Sequence, residues 1–108
     1  MKNLYETDIA VLLIFFNRPD NFKKVFEQVK KARPSRLYLS CDGAREGNQN
    51  DVVKIAQCKE IAKDIDWECE VFKNYAEENM GCKNRVSSGI SWVFEHEEER
   101  EVTWTKIR

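Results

Sequence analysis

Eight apolar residues in unbroken succession, Ile9 to Phe16 (IAVLLIFF), run straight into Asn17, Arg18, Pro19 and Asp20. No other stretch constrains the fold as much. A short continuous apolar run fits a strand covered on both faces, the condition of central strands in parallel sheets. The polar residues fall where the carboxyl end of that strand should emerge, and ligands of open α/β sheets bind along that edge. Pro19 and Asp20 also have a local explanation as a helix start. Proline tolerates the first turn, where its missing N–H is not needed, and aspartate can cap free amides.

The rest of the chain supplies partners for this strand. Phe22, Val25, Phe26, Val29 and Ala32 recur at helical spacing and predict a helix from about Asn21 to Ala32, ended by Pro34. Leu37 to Leu39 predict a second strand that breaks into Ser40, Cys41, Asp42 and Gly43. A strand, helix, strand order with short connections implies a right-handed crossover and a parallel pair. Arg18 and Asp42 should then share one cleft. Gly43 to Asn50 reads as a surface loop. A second helix follows, capped by Asn48 or Asn50, with an apolar stripe of Val52, Ile55, Ala56, Cys58, Ala62 and Ile65.

Trp67 to Asn74 alternates as a half-exposed strand does, which suits the edge of the sheet. Asn79 and Gly81 lead into a third helix whose buried side is Val86, Ile90, Val93 and Phe94. Its Ser87, Ser88 and Gly89 are small enough for close approach to a neighbouring strand or a ligand. Val102 to Ile107 alternates β-branched and aromatic residues with polar ones and reads as a short strand or a tail. The expected fold is a single Rossmann-like α/β domain over 1–108. It has three layers, α/β/α, around a mostly parallel sheet of three to four strands.

Composition narrows the function. With 18 basic and 19 acidic residues in 108, the net charge is −1, which gives no basic footprint for nucleic acid or for an acidic membrane surface. Glu95, Glu97, Glu98, Glu99 and Glu101 form an acidic cluster, read as a solvated helix face. Cys41, Cys58, Cys69 and Cys82 are widely spaced beside a single histidine, so a zinc site has little support. The apolar run follows Glu6 and Asp8 rather than a basic segment, unlike a signal peptide, and is too short to span a bilayer. The expected location is the cytoplasm or the inner face of its membrane, with reduced thiols.

Three segments, LLIFFNRPDNFKKVFEQV, LYLSCDGAR and NMGCKNRVSSGISWVF, stand in the order and approximate spacing of a known family. Over about Ile9 to Glu95 the chain resembles the amino-terminal half of GT-A glycosyltransferases, the family-2-like nucleotide-diphospho-sugar transferases. The resemblance implies that Phe16, Asn17, Arg18 and Asp42 hold the nucleotide of a UDP-sugar or similar donor. It also implies that Asn79, Gly81, Lys83 and Arg85 approach the diphosphate and sugar. The complete family uses a divalent metal such as Mn2+ or Mg2+, held by an Asp-x-Asp motif that ends the apolar strand after helix 3, and a later catalytic base. Here helix 3 is followed by EHEEEREVTWTKIR, which carries no such motif, so neither metal ligands nor catalytic residues are assigned. The expectation is a nucleotide-sugar-binding portion, truncated and inactive alone, whose exposed sheet edge offers a route to a homodimer.

Two other readings compete. A nucleotidyltransferase-like domain would place a glycine-rich phosphate loop after strand 1, and Asn17 to Asn21 contains no glycine. A non-catalytic α/β interaction module would use the same polar residues only as turns.

Overall fold

A computed structural model describes residues 7–97 and 102–107. The elements in order are β1 (Thr7–Phe15), α1 (Pro19–Ala32), β2 (Pro34–Cys41), α2 (Gln49–Ile61), β3 (Glu70–Tyr75), α3 (Cys82–Phe94) and β4 (Val102–Lys106). They form a four-stranded sheet in the order β3-β2-β1-β4, with every neighbouring pair parallel. The architecture is a three-layer, Rossmann-like α/β/α sandwich.

Strand β1 is central and buried on both faces, as its unbroken apolar run requires. Val11, Leu13 and Phe15 face α1 and α2, where they pack with Phe22, Phe26, Ile55 and Cys58. Ala10, Leu12 and Ile14 face α3 and meet Tyr38 and Val93. The chain runs outward through α1 and α2 on one face, then returns over the other face through α3 to lay β4 beside β1. Parallel crossovers of one hand demand that change of face when the direction of travel reverses. The reversal makes the carboxyl ends of β1 and β4 the switch point of the sheet. The segment from Val102 is thus a paired strand, with Ala10 opposite Val102 and Ile14 opposite Lys106. β1 is therefore not an edge.

Several local expectations need correction. Helix α1 begins at Pro19, but its N-cap is Arg18 with no side-chain cap, so Asp20 merely adds a first-turn charge. The helix ends where Arg33 turns left-handed at φ 50°, and Pro34 opens β2, a position where a missing N–H is tolerated. Strand β2 is accordingly longer than Leu37 to Leu39. Asn48 caps α2 by accepting from the Asp51 amide at 2.9 Å. Val52 and Phe94, expected in the core, are exposed.

Glu97 is not a solvated charge. Its carboxylate accepts from Arg36 Nε at 2.6 Å and from the Tyr38 hydroxyl at 3.0 Å behind the sheet. Burial first, and that hydrogen bond second, push the Tyr38 phenol up to about 12. Glu95 is exposed, while Glu98, Glu99 and Glu101 lie outside the described residues. Among the described residues, no helix is long and apolar enough to cross a membrane.

Candidate functional site at the sheet switch point

The site grows from three strand exits. At the end of β1 the chain turns through Phe16, Asn17 and Arg18 into α1. At the end of β2, Asp42 is almost fully buried, and its carboxylate is spent on backbone amides. Oδ1 accepts from Gly43 N at 2.9 Å and Met80 N at 2.8 Å, while Oδ2 accepts from Gly81 N at 3.1 Å. Asp42 thereby holds the two amides that lead into α3, those of Met80 and the N-cap residue Gly81. Asn79 Nδ2 adds a bond of 2.9 Å to the Gly43 carbonyl.

Gly43 is required by this closeness. A Cβ there would stand 2.6 Å from the Glu78 carbonyl carbon and 2.8 Å from that of Glu77. Gly81, the residue before α3, has φ 85°, a conformation open to glycine. Gly89 faces the sheet, where an added Cβ would come 3.3 Å from Ser40 Oγ, so its small size serves helix-to-strand packing.

A second network, which the sequence reading did not single out, fixes the β1 turn. Asp51 is fully buried at the start of α2 and accepts from Arg45 Nε at 2.7 Å, Arg45 Nη2 at 2.9 Å, Arg45 N at 3.1 Å and Asn17 Nδ2 at 2.9 Å. The Arg45 hydrogen bonds hold this carboxyl well below the usual carboxylate range, against the opposing effect of burial. The same guanidinium lies 5.8 Å from the centre of the Phe16 ring, within cation–π range.

Between these networks lies a cavity of about 330 Å³. Ile14, Phe16, Val86 and Ile107 give it an apolar wall, and Asn17, Asn79 and Asp42 give it polar edges. Four cationic side chains also line it: Arg18, Arg45, Arg85 and Lys106. Arg45 is neutralised by Asp51, and Asp42 lies within the field of Arg85. Arg18 and Lys106 form no ion pair among the described residues, leaving the wall an excess of two positive charges.

Arg85 is nearly buried. It donates from Nε to Ser40 Oγ at 2.9 Å and from Nη2 to the Asn74 carbonyl at 2.6 Å, and Nη1 contacts Met80 Sδ at 3.2 Å. Burial pushes its guanidinium below the ordinary arginine value, partly offset by Asp42.

Of the residues that the resemblance pointed to, Phe16, Asn17, Arg18, Asp42, Asn79, Gly81 and Arg85 line this one cavity. Lys83 does not, standing exposed in the first turn of α3. Lys106 and Arg45 are additions. Lys106 had no sequence signal except that its strand, if formed, would end at the same edge.

The donor set does not suit a divalent cation. The one carboxylate lining the cavity is bound by three amides, and its neighbours are cationic. Among the described residues, no group of three or more His, Cys, Asp or Glu could hold a metal. The triplet Asp64-Ile65-Asp66 precedes β3, at the opposite edge of the sheet, and Asp64 pairs with Lys30 at 2.6 Å. Compared with protein-family models, curated proteins and solved structures, the chain gives no match.

Proposed function

We propose that the cavity binds a nucleotide-diphospho-sugar, a UDP-sugar or similar, and that the chain is the donor-binding portion of a glycosyltransferase. One observation carries this reading: an apolar wall and two excess positive charges share one cavity at the switch point of a parallel sheet. Ligands of such sheets bind there. The wall around Phe16 suits a base, Asn17 and Asn79 suit hydrogen bonds to base or ribose, and the cations suit a diphosphate. A volume of about 330 Å³ fits a small ligand. The sequence resemblance likewise gives Phe16 and Asn17 to the nucleotide and Arg85 to the diphosphate and sugar, whereas it places Arg18 with the nucleotide and Asn79 with the diphosphate and does not include Lys106.

The reading concerns binding rather than transfer. Activating an acceptor hydroxyl needs a general base within hydrogen-bond reach, and the cavity's carboxylate is already committed to the α3 amides.

Titration with UDP, GDP, CDP and ADP, followed by amide NMR, tests it. At least one nucleotide should shift the signals of Phe16, Asn17, Arg18 and Gly81 in a saturable manner. Arg18→Ala should weaken that binding about tenfold, the loss of a charge-assisted bond of about 1.5 kcal/mol. Unmoved spectra with all four nucleotides would overturn the reading.

A further inference from the structure

Resting on the nucleotide reading, we infer that Lys106 is the fixed cation that meets the donor's diphosphate, so that nucleoside diphosphate binding to this chain needs no divalent metal. The position follows from β4. Lys106 stands opposite Ile14 in the register, and Ile107 N donates to the Ile14 carbonyl at 2.8 Å, which ties the strand end to the turn carrying Phe16 and Arg18. Ile107 packs with the core on the α1 and α2 side, while Val102 packs with the core on the α3 side. Strand alternation therefore sends Lys106 to the α3 side, beside Val86 and Arg85 in the cavity lining.

One usual way of neutralising a diphosphate, a bridging metal, is poorly supplied at this cavity. A bridging metal would need free carboxylates, and Asp42 is bound by three amides. Backbone amides at the amino end of a helix also meet phosphates, and here those of Met80 and Gly81, just before α3, already donate to Asp42. Side-chain charge is the supply that the cavity lining shows. Arg18 and Lys106 supply two uncompensated positive charges, which match the double charge that a diphosphate presents in a diester such as a nucleotide sugar. Lysine acts there as a compact point charge that does not require bidentate geometry.

Calorimetry on the full chain tests the assignment, with UDP, GDP, CDP and ADP, each with excess EDTA and again with Mn2+, and with the corresponding nucleosides. The tightest diphosphate should bind equally well in both buffers. Lys106→Ala should weaken it about tenfold while leaving the nucleoside unaffected, and Lys106→Arg should restore most of the loss. Binding that appears only with Mn2+ overturns the assignment and leaves the nucleotide reading standing. A Lys106→Ala loss equal for nucleoside and diphosphate also overturns it, because the lysine would then be acting on the fold. No binding in either buffer overturns both.

Discussion

Asp51 has no exposed surface yet carries a charge, because Arg45 meets it with two guanidinium nitrogens and a backbone amide and Asn17 adds a fourth donor. A carboxyl whose pKa falls on folding contributes stability that is fully present above its unfolded value, near pH 4, and is lost as pH drops toward the folded value. The melting temperature should therefore decline below about pH 4. Asp51→Asn should be less stable at neutral pH but decline less steeply with acid, since the amide does not titrate. Parallel pH profiles for the two proteins would show that this pair does not set acid stability. Asp42, also buried, has a different role, for its partners are neutral amides and its work is to hold a loop. The thiols of Cys41, Cys58 and Cys69 also answer to their environment. Burial pushes Cys41 up to about 12 and Cys58 and Cys69 up to about 11, so they stay protonated at neutral pH.

At the level of elements, the segment between β3 and α3 depends on Gly43, whose missing side chain lets the backbone of Glu77 and Glu78 close over the end of β2. Gly43→Ala would push backbone against backbone, which flexible side chains cannot relieve. It should cost about 1–3 kcal/mol in denaturant unfolding and weaken nucleotide binding, since Asn79 and Gly81 sit on the displaced segment. An unchanged midpoint with unchanged binding would mean the segment is looser than its contacts imply. Elements whose signal is a periodic apolar pattern were legible in the sequence: β1 as a doubly buried strand, α1 and α3 as one-sided helices, β3 as an edge. The shared cleft of Arg18 and Asp42 followed from crossover topology alone. What escaped depends on tertiary pairing. Asp51 looks like any first-turn carboxylate until Arg45 folds onto it, and Glu97 looks like its acidic neighbours until Arg36 and Tyr38 arrive from β2. Val52 and Phe94 fit an apolar stripe but are exposed in the fold.

For the whole molecule, β4 decides what kind of surface the sheet presents. Without it, β1 would be a nine-residue edge of almost unbroken apolar side chains, the form of edge that recruits other chains. With it, the edge is a five-residue strand, Val-Thr-Trp-Thr-Lys, short, partly polar and ended by a charge. Shortness and charge are features that discourage edge-to-edge pairing. The full chain should therefore be monomeric. Deleting Val102 to Arg108 should turn it into a species whose mass in light scattering rises with concentration. The same deletion removes Lys106 and Ile107 from the cavity, so it should also weaken any nucleotide binding. The point variant Lys106→Ala separates the two effects, because it should lose affinity while remaining monomeric. If the deletion stays monomeric and unfolds at the same denaturant concentration as the full chain, β4 does not cover β1 in solution. The switch point, and the cavity built on it, would then have to be drawn without that strand.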